Sequence, residues 1–522
     1  MQVTTSLSKL VGTMENFNEE YLRKSLKTIL VYAEQDHELA ETTFPEQVQD
    51  LVFNLHMILS DTVKLKEYAD DPEMHMDLMY RIAKGYQNSP DLRLTWLESM
   101  ATKHEQQDHF AESAMCKIHC AALVSEYLHM LEDQQYMPKG AVSFSRVTPN
   151  AEEESAVSDD VVAPDEEGIC TGKHFRDNAS LMQFLDEAAN LFNRSGMYEA
   201  VNEVYKVSIP IAEADRNFKK LTEIHKELTD AFSTIVKMHG KRIFGTYFRV
   251  GFYGSRFGDL DGEEYIYKEK VLAKLSEIAL RLESFYGDKY GKENLVIIND
   301  SKIVEQSKLD PLKAYVQVTY VEPYFDDYEM RDRVTAFEKN FTISNYYFFT
   351  FLCAFSDNAA FFSFLDRFIF ATPFTADGNP RGELHEQFKR KTILTTTNHF
   401  PYVKTRIQVV DRKHVITKKP FTLFGSFSYI VFGLFSQIVL TPIEVAIEDV
   451  QKKIAELDAA INQVPPDPKI LQMVLQGCIG TTVNQGPIEV ANVFLKDLFD
   501  GKKSATKHQT KLRLCFRDFS KK

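Results

Sequence analysis

Ile243–Gly254, IFGTYFRVGFYG, sets Phe244, Phe248, Val250 and Phe252 on one face, and an apolar period of two marks a strand with one side turned to a core. The chain before it repeats differently. Leu22, Leu26, Ile29 and Ala33, then Val48, Leu51, Val52, Leu55, Ile58 and Leu59, recur at the spacing of amphipathic helices. Pro45, Pro72 and Pro90 stand where such helices should begin, because the first turn needs no donor from their nitrogens. Helices of similar length follow in pairs, as in MHMDLMYRIAKGYQ with LRLTWLESMATKH and GMYEAVNEVYKVSIPIAEA with FKKLTEIHKELTDAFSTIV. The expectation for 1–240 is an irregular helical-repeat lobe.

Downstream the period of two persists. AYVQVTYV groups Ala314, Val316, Val318 and Tyr320, and YVKTRIQV sets Val403, Thr405, Ile407 and Val409 against Lys404, Arg406 and Gln408. An antiparallel β-sheet lobe is expected over 241–440. Helical spacing returns in TPIEVAIEDVQKKIAEL from Thr441, PKILQMVLQ from Pro468 and PIEVANVFLKDLF from Pro487, giving a helical-bundle lobe over 441–522. The fold class is therefore mixed and mainly α, ordered helices, sheet, helices.

At 522 residues the chain needs several cores. A formal charge of −14, with basic runs as short as Lys389-Arg390-Lys391, argues against nucleic acid as a partner. Six cysteines at 116, 120, 170, 353, 478 and 515 form no tight framework, and MQVTTSLSKLVGTMENFNEEY lacks the pattern of a secretory signal; a reducing, cytoplasmic setting is expected. Between 138 and 172, AEEESAVSDDVVAPDEEG dominates an acidic stretch without aromatics after Phe144, expected as a mobile loop.

The chemical motifs are weak. Cys116-x-x-His119-Cys120 offers soft ligands within one helical turn but no second pair nearby, and a core helix is the better reading. His385-Glu386 is followed by Lys389 where a metalloprotease helix needs a second histidine. GFYGSRFGDLDG, Gly251–Gly262, fits neither phosphate-binding nor dinucleotide spacing, and strand ends and turns explain its glycines. Asp259 and Asp261 read as loop carboxylates, and no nucleophile elbow occurs. Neither covalent chemistry, a cofactor nor a metal is expected.

Two stretches are unusually apolar. Asn345–Phe370 is crowded with phenylalanine but interrupted by Asp357 and Asp366, whereas Pro420–Ile443 runs 24 residues without a charge, long enough for a membrane span. A third explanation for both is translated, unspliced sequence, which amplification of the mature transcript would test.

In Leu471–Pro487, LQMVLQGCIGTTVNQGP, a helical face of Ile470, Leu471, Val474 and Leu475 gives way to glycines and β-branched residues before Pro487. The helix should break there and restart at Pro487. Val483 sits at the loop's polar centre between Thr482 and Asn484. An exposed branched hydrocarbon there would need a reason beyond core filling; an ordinary helix-loop-helix with Val483 tucked inward is the alternative.

This segment resembles the interrupted helix of the DOCKER domain, the second homology region of the DOCK (dedicator of cytokinesis) exchange factors. FGTYFRVGFYG from Phe244, YVEPYFDDYEMRDRVTAFEKNF from Tyr320, GELHEQFKRKTILTT from Gly382, FPYVKTRI from Phe400, LTPIEVAIEDV from Leu440 and NEVYKVSIPI from Asn202 resemble the same domain. ESAVSDDVVAPDEEG and DLRLTWLESM point to its C subfamily. The resemblance implies a guanine-nucleotide exchange module for Rho-family GTPases of the Rac or Cdc type, without covalent chemistry, and a homodimer formed through the helical lobe. It implies that Val483 is the nucleotide sensor displacing Mg²⁺, and that Thr482, Asn484, Gln485, Gly486 and Pro487 complete the GTPase-binding loop.

Against the family pattern, 342–370 and 412–438 look inserted, and a span at 420–443 would place on opposite sides of a membrane the lobes that must grip one GTPase together. The chain also stops at KLRLCFRDFSKK, inside an expected bundle helix, and lacks the family's amino-terminal lipid-binding region. An inactive scaffold that binds or dimerises without exchange is the alternative reading.

Overall fold

The computed structural model describes residues 18–39, 42–87, 89–131, 134–155, 173–175, 177–238, 243–326, 329–330, 365–375, 382–414, 439–462, 468–479, 486–499 and 505–522. The chain forms two compact units, one of residues 1–236, 342–364 and 398–407 and one of 237–341, 365–397 and 408–522.

The first unit is built of helices α1 (Glu19–Gln35), α2 (Phe44–Glu67), α3 (Pro72–Gly85), α4 (Pro90–Gln106), α5 (Phe110–Leu131), α6 (Asn178–Arg194), α7 (Tyr198–Ala214) and α8 (Phe218–Lys237). Their starts are written locally: Pro45, Pro72 and Pro90 occupy first-turn positions, and the Asn18 and Asp71 side chains accept hydrogen bonds from the first free backbone N–H groups of α1 and α3. Helix α5 is the central one, packed on α4 and α6 and buried around most of its circumference, Cys116 and Cys120 included. The core-helix reading of those cysteines holds, and burial pushes both thiols up, away from the reactive thiolate.

His119, one residue before Cys120, does more than fill space. Its Nδ1 lies 2.8 Å from Glu154 Oε1, and Arg93 Nε and Nη2 donate to the two oxygens of Glu154 at 2.5 and 2.6 Å. Burial pushes the Glu154 carboxyl up, but the Arg93 guanidinium and the His119 ring outweigh it and hold the group at about 2. The neighbouring Glu153 accepts from the hydroxyls of Tyr80 and Tyr402 at 2.6 and 2.8 Å. His119, Glu153 and Glu154 are close enough together to hold a metal ion, yet both carboxylates are already engaged by the guanidinium and the phenols.

Glu153 and Glu154 correct the expectation of a mobile acidic loop from 138. Residues 141–144 and 149–155 form 3-10 turns with Phe144, Ala151 and Glu154 buried, because Glu154 supplies the counter-charge that Arg93 requires. The rest of that stretch, 156–172, lies outside the described residues.

Asn398–Ile407 belongs to the same unit. Val403 O bonds His104 Nε2 at 2.9 Å, His399 N donates to Asn150 Oδ1 at 3.1 Å, and Arg406 Nε donates to Asp77 Oδ2 at 2.7 Å. Expected on a polar, solvent-facing side, Arg406 is only 1% exposed. Burial pushes the Asp77 carboxyl up, but Arg406 and Lys404 outweigh it and lower it below the ordinary value.

The second unit holds strands β1 (Thr246–Tyr253), β2 (Glu264–Glu269), β3 (Leu295–Ile298), β4 (Ala314–Pro323), β5 (Leu365–Thr375), β6 (Gln387–Phe400), β7 (Arg406–His414) and β8 (Val439–Leu440), with the unit boundary crossing β6 and β7 near their ends. Helix α9 (Leu275–Tyr290) follows β2. Neighbours run β1-β2-β7-β6-β5-β4, and β4 pairs again with β1, so the expected antiparallel sheet closes into a barrel. β3 adds outside the ring, parallel to β4, and β8 pairs with β6.

Alternation sorts the β1 side chains to two environments. Phe252 meets Tyr286 of α9 at 5.6 Å, whereas Tyr247 and Arg249 reach across to Phe368 and Phe370 of the non-adjacent β5 at 5.0 and 5.6 Å, which places them inside the ring. Gly254 ends β1 at φ 115°, where a Cβ would come within 2.5 Å of Lys313 O. Glu264 accepts from Arg249 at 2.9 and 2.5 Å and from Arg412 at 2.6 and 2.7 Å. Burial raises its carboxyl, but the two guanidiniums hold it at about 2.

The ring corrects the edges of both suspected insertions. Residues 365–370 open β5, with Leu365 and Phe368 fully buried, and Arg412 is a working member of β7. The remainders, 342–364 and 415–438, lie outside the described residues. Among the described residues no helix is long and apolar enough to cross a membrane.

Candidate functional site

The same unit ends in helices α10 (Pro442–Ile461), α11 (Pro468–Ile479), α12 (Pro487–Phe499) and α13 (Lys507–Lys521). Proline begins the first three, as the sequence spacing requires. Thr441 and Thr506 form capping boxes with Glu444 and Gln509. Ala446, Ile447 and Val450 of α10, Val490 and Leu495 of α12, and Leu512 and Cys515 of α13 make a common core. Two ion pairs tie α10 to β6, Lys389–Asp449 at 2.8 Å and Lys391–Glu448 at 2.6 Å. Gln509 Nε2 donates to Phe494 O at 2.9 Å, joining α13 to α12.

α11 ends at Ile479 and α12 begins at Pro487. Gly486 O accepts the first turn's bond from Val490 N at 3.1 Å, and Pro487 starts α12. Thr482, Val483, Asn484 and Gln485 lie outside the described residues, so of the loop residues named from sequence only Gly486 and Pro487 are placed.

The flanks of the break are informative. Cys478 is buried, its Sγ 3.8 Å from Lys453 O of α10, and this anchors the end of α11. Burial raises its thiol. Beside it Met473, Leu475 and Ile479 are 65%, 41% and 57% exposed, and across the break Ile488 and Val493 are 77% and 44% exposed. Leu475 was expected on the apolar face and is turned out instead. Five apolar side chains are thus left in water on two consecutive helices. Sequence reasoning passed over Met473, Ile479, Ile488 and Val493; apolar residues all round a short helix were the available signal.

Comparison with known proteins places these elements in context. The chain matches family models described as DHR-2, Lobe A over residues 77–237, DHR-2, Lobe B over 301–360 and 359–399, and DHR-2, Lobe C over 456–522. It is 58% identical over 524 residues to dedicator of cytokinesis protein 7 of Homo sapiens, an alignment covering 100% of this chain and 22% of that protein. Identity is 55% over 524 residues to protein 6 of Mus musculus, with 100% and 23% covered, and 54% over 519 residues to protein 8 of Homo sapiens, with 99% and 22% covered. The chain thus spans less than a quarter of the length of these relatives.

Proposed function

The chain belongs to the dedicator of cytokinesis family, C subfamily, through its DHR-2 region, and from that membership we propose that it is a guanine-nucleotide exchange module for Rho-family GTPases of the Rac or Cdc type. The observation that supports the reading is that, within the Lobe C match, α11 ends at Ile479 and α12 begins at Pro487, with apolar side chains exposed on both helices. In this reading the module comprises three lobes, 1–240, 241–440 and 441–522. It works in the cytoplasm, and the helical lobe makes a homodimer.

Val483 is the sensor. Mg²⁺ bound with GDP needs near-octahedral oxygen ligation, and an isopropyl group brought into its site supplies none and excludes water. Without that cation the charge of the GDP phosphates would be less well held. Thr482, Asn484, Gln485, Gly486 and Pro487 present the valine to the GTPase: Gly486 provides the permissive backbone and Pro487 restarts a rigid helix behind it. The module binds the nucleotide-free GTPase more tightly than the loaded form, so it accelerates exchange in either direction without covalent chemistry.

Val483→Ala removes two methyl groups, each contributing ~0.8 kcal/mol, so release of fluorescent GDP should slow about tenfold. Binding of nucleotide-free GTPase should be nearly unchanged. Wild-type release rates in the variant would refute the sensor role. A wild-type chain that binds without accelerating release would be a scaffold instead.

A further inference from the structure

The short run Lys389-Arg390-Lys391 lies on β6, and strand alternation splits it. Lys389 and Lys391 face α10 and pair with Asp449 and Glu448. Arg390 faces the opposite way, into a cavity of about 180 Å³ lined also by Lys302, Phe370, Thr372, Phe374 and Arg412. Its guanidinium lies over the Phe374 ring at 5.2 Å. Its Nε is buried and has no hydrogen-bond acceptor among the described residues.

The carboxylate charge nearby is already committed. Glu264 is shared by Arg249 and Arg412, and Asp300 Oδ1 accepts from Lys302 N at 3.2 Å and Gln317 Nε2 at 3.3 Å. Of the three cations lining the cavity, Arg412 is paired with Glu264 and half-buried, Arg390 is half-buried with its Nε buried, and Lys302 is exposed at the rim.

We propose that this cavity binds a small phosphate monoester, its dianion seated between Arg390 and Lys302 and its organic part against Phe370 and Phe374. The two cations decide between anions: a phosphate monoester carries close to two negative charges at neutral pH, one for each of Arg390 and Lys302, whereas a carboxylate carries one. Arg390 brings a planar fork of donors suited to phosphate oxygens, and Lys302 a compact charge at the rim. The hydroxyl of Thr372 already donates to Ser301 O at 2.9 Å, so the two cations do the holding. None of the residues lining the cavity belongs to α10, α11, α12 or α13.

The test is calorimetric titration of the full chain in phosphate-free buffer at constant ionic strength, with inorganic phosphate, phenyl phosphate and sodium acetate. Saturable binding of phosphate, tighter binding of phenyl phosphate and none of acetate are expected. Inorganic phosphate binding as tightly as phenyl phosphate would identify a free-phosphate site and overturn the ester assignment. Arg390→Met should weaken phenyl phosphate binding about tenfold or more and leave the melting temperature in phosphate-free buffer unchanged or higher, since it removes a buried donor that has no acceptor among the described residues. Lys302→Met, at an exposed position, should weaken binding several-fold and provides the measurement should the arginine variant not fold. Acetate binding equal to phosphate, wild-type affinity in the variants, or no saturable binding would overturn the proposal.

Discussion

Helix α5 and the pair α11–α12 treat their side chains in opposite ways. In α5 even the polar residues Glu112, Ser113, His119 and Ser125 are buried, and the cluster around Glu154 gives each charge a partner. Along α11 and α12, apolar residues as large as Met473 and Ile488 are left in water. The first arrangement uses its polar chemistry to hold one conformation, because an unpartnered buried charge is far costlier than an exposed one. The second leaves apolar side chains in water, at the modest cost of hydrating a few of them; under the proposed function a GTPase would cover them.

Arg93→Met should break the first region most severely. It strands Glu154 as a buried carboxylate with only His119 beside it, and a loss of about 3–5 kcal/mol is expected as a lower denaturant midpoint. An unchanged midpoint would mean that the cluster contributes little to stability.

Acid probes the same pairing. Glu154 and Glu264 have folded values of about 2 against an ordinary 4.5. Because the folded values are depressed, their contribution is fully present above pH 4.5 and lost as pH falls from there toward 2, by the order of 3 kcal/mol for each group. The slope of stability against pH in that window should be shallower in Arg93→Met, where Glu154 no longer has its guanidinium.

The second region should respond in binding and not in folding. Ile488→Asp, at a position 77% exposed, should alter stability by no more than about 0.5 kcal/mol. It should weaken capture of a nucleotide-free Rac-type GTPase by about tenfold. A large fall in melting temperature with intact capture would reverse the comparison.

The smallest effect is expected at a helix start. Thr506→Ala removes the acceptor for Gln509 N and should cost about 1 kcal/mol in thermal unfolding.

Much of the fold was legible because helix starts and strand alternation are local. Proline at the head of α2, α3, α4, α10, α11 and α12 marks each start within two residues, and the break between Ile479 and Pro487 follows from glycine and β-branched residues. The burial of Arg406 was not legible, since Lys404, Arg406 and Gln408 read as the polar face of the strand until Asp77, 329 positions before Arg406, is brought to it. Residues 365–370 looked foreign for a related reason: Phe368 and Phe370 are explained by Tyr247 and Arg249 across the ring, not by their neighbours in sequence.

By itself the sequence determined the helix-sheet-helix order and the family, because periodicity, capping and motif spacing are written within a few residues of one another. Tertiary structure alone decided that the sheet closes, that Glu154 answers Arg93, and that one member of a three-residue basic run turns inward while its neighbours pair with α10. A charge takes its meaning from its partners, and here those partners lie some 60 positions away along the chain, Glu154 by 61 from Arg93 and Asp449 by 60 from Lys389.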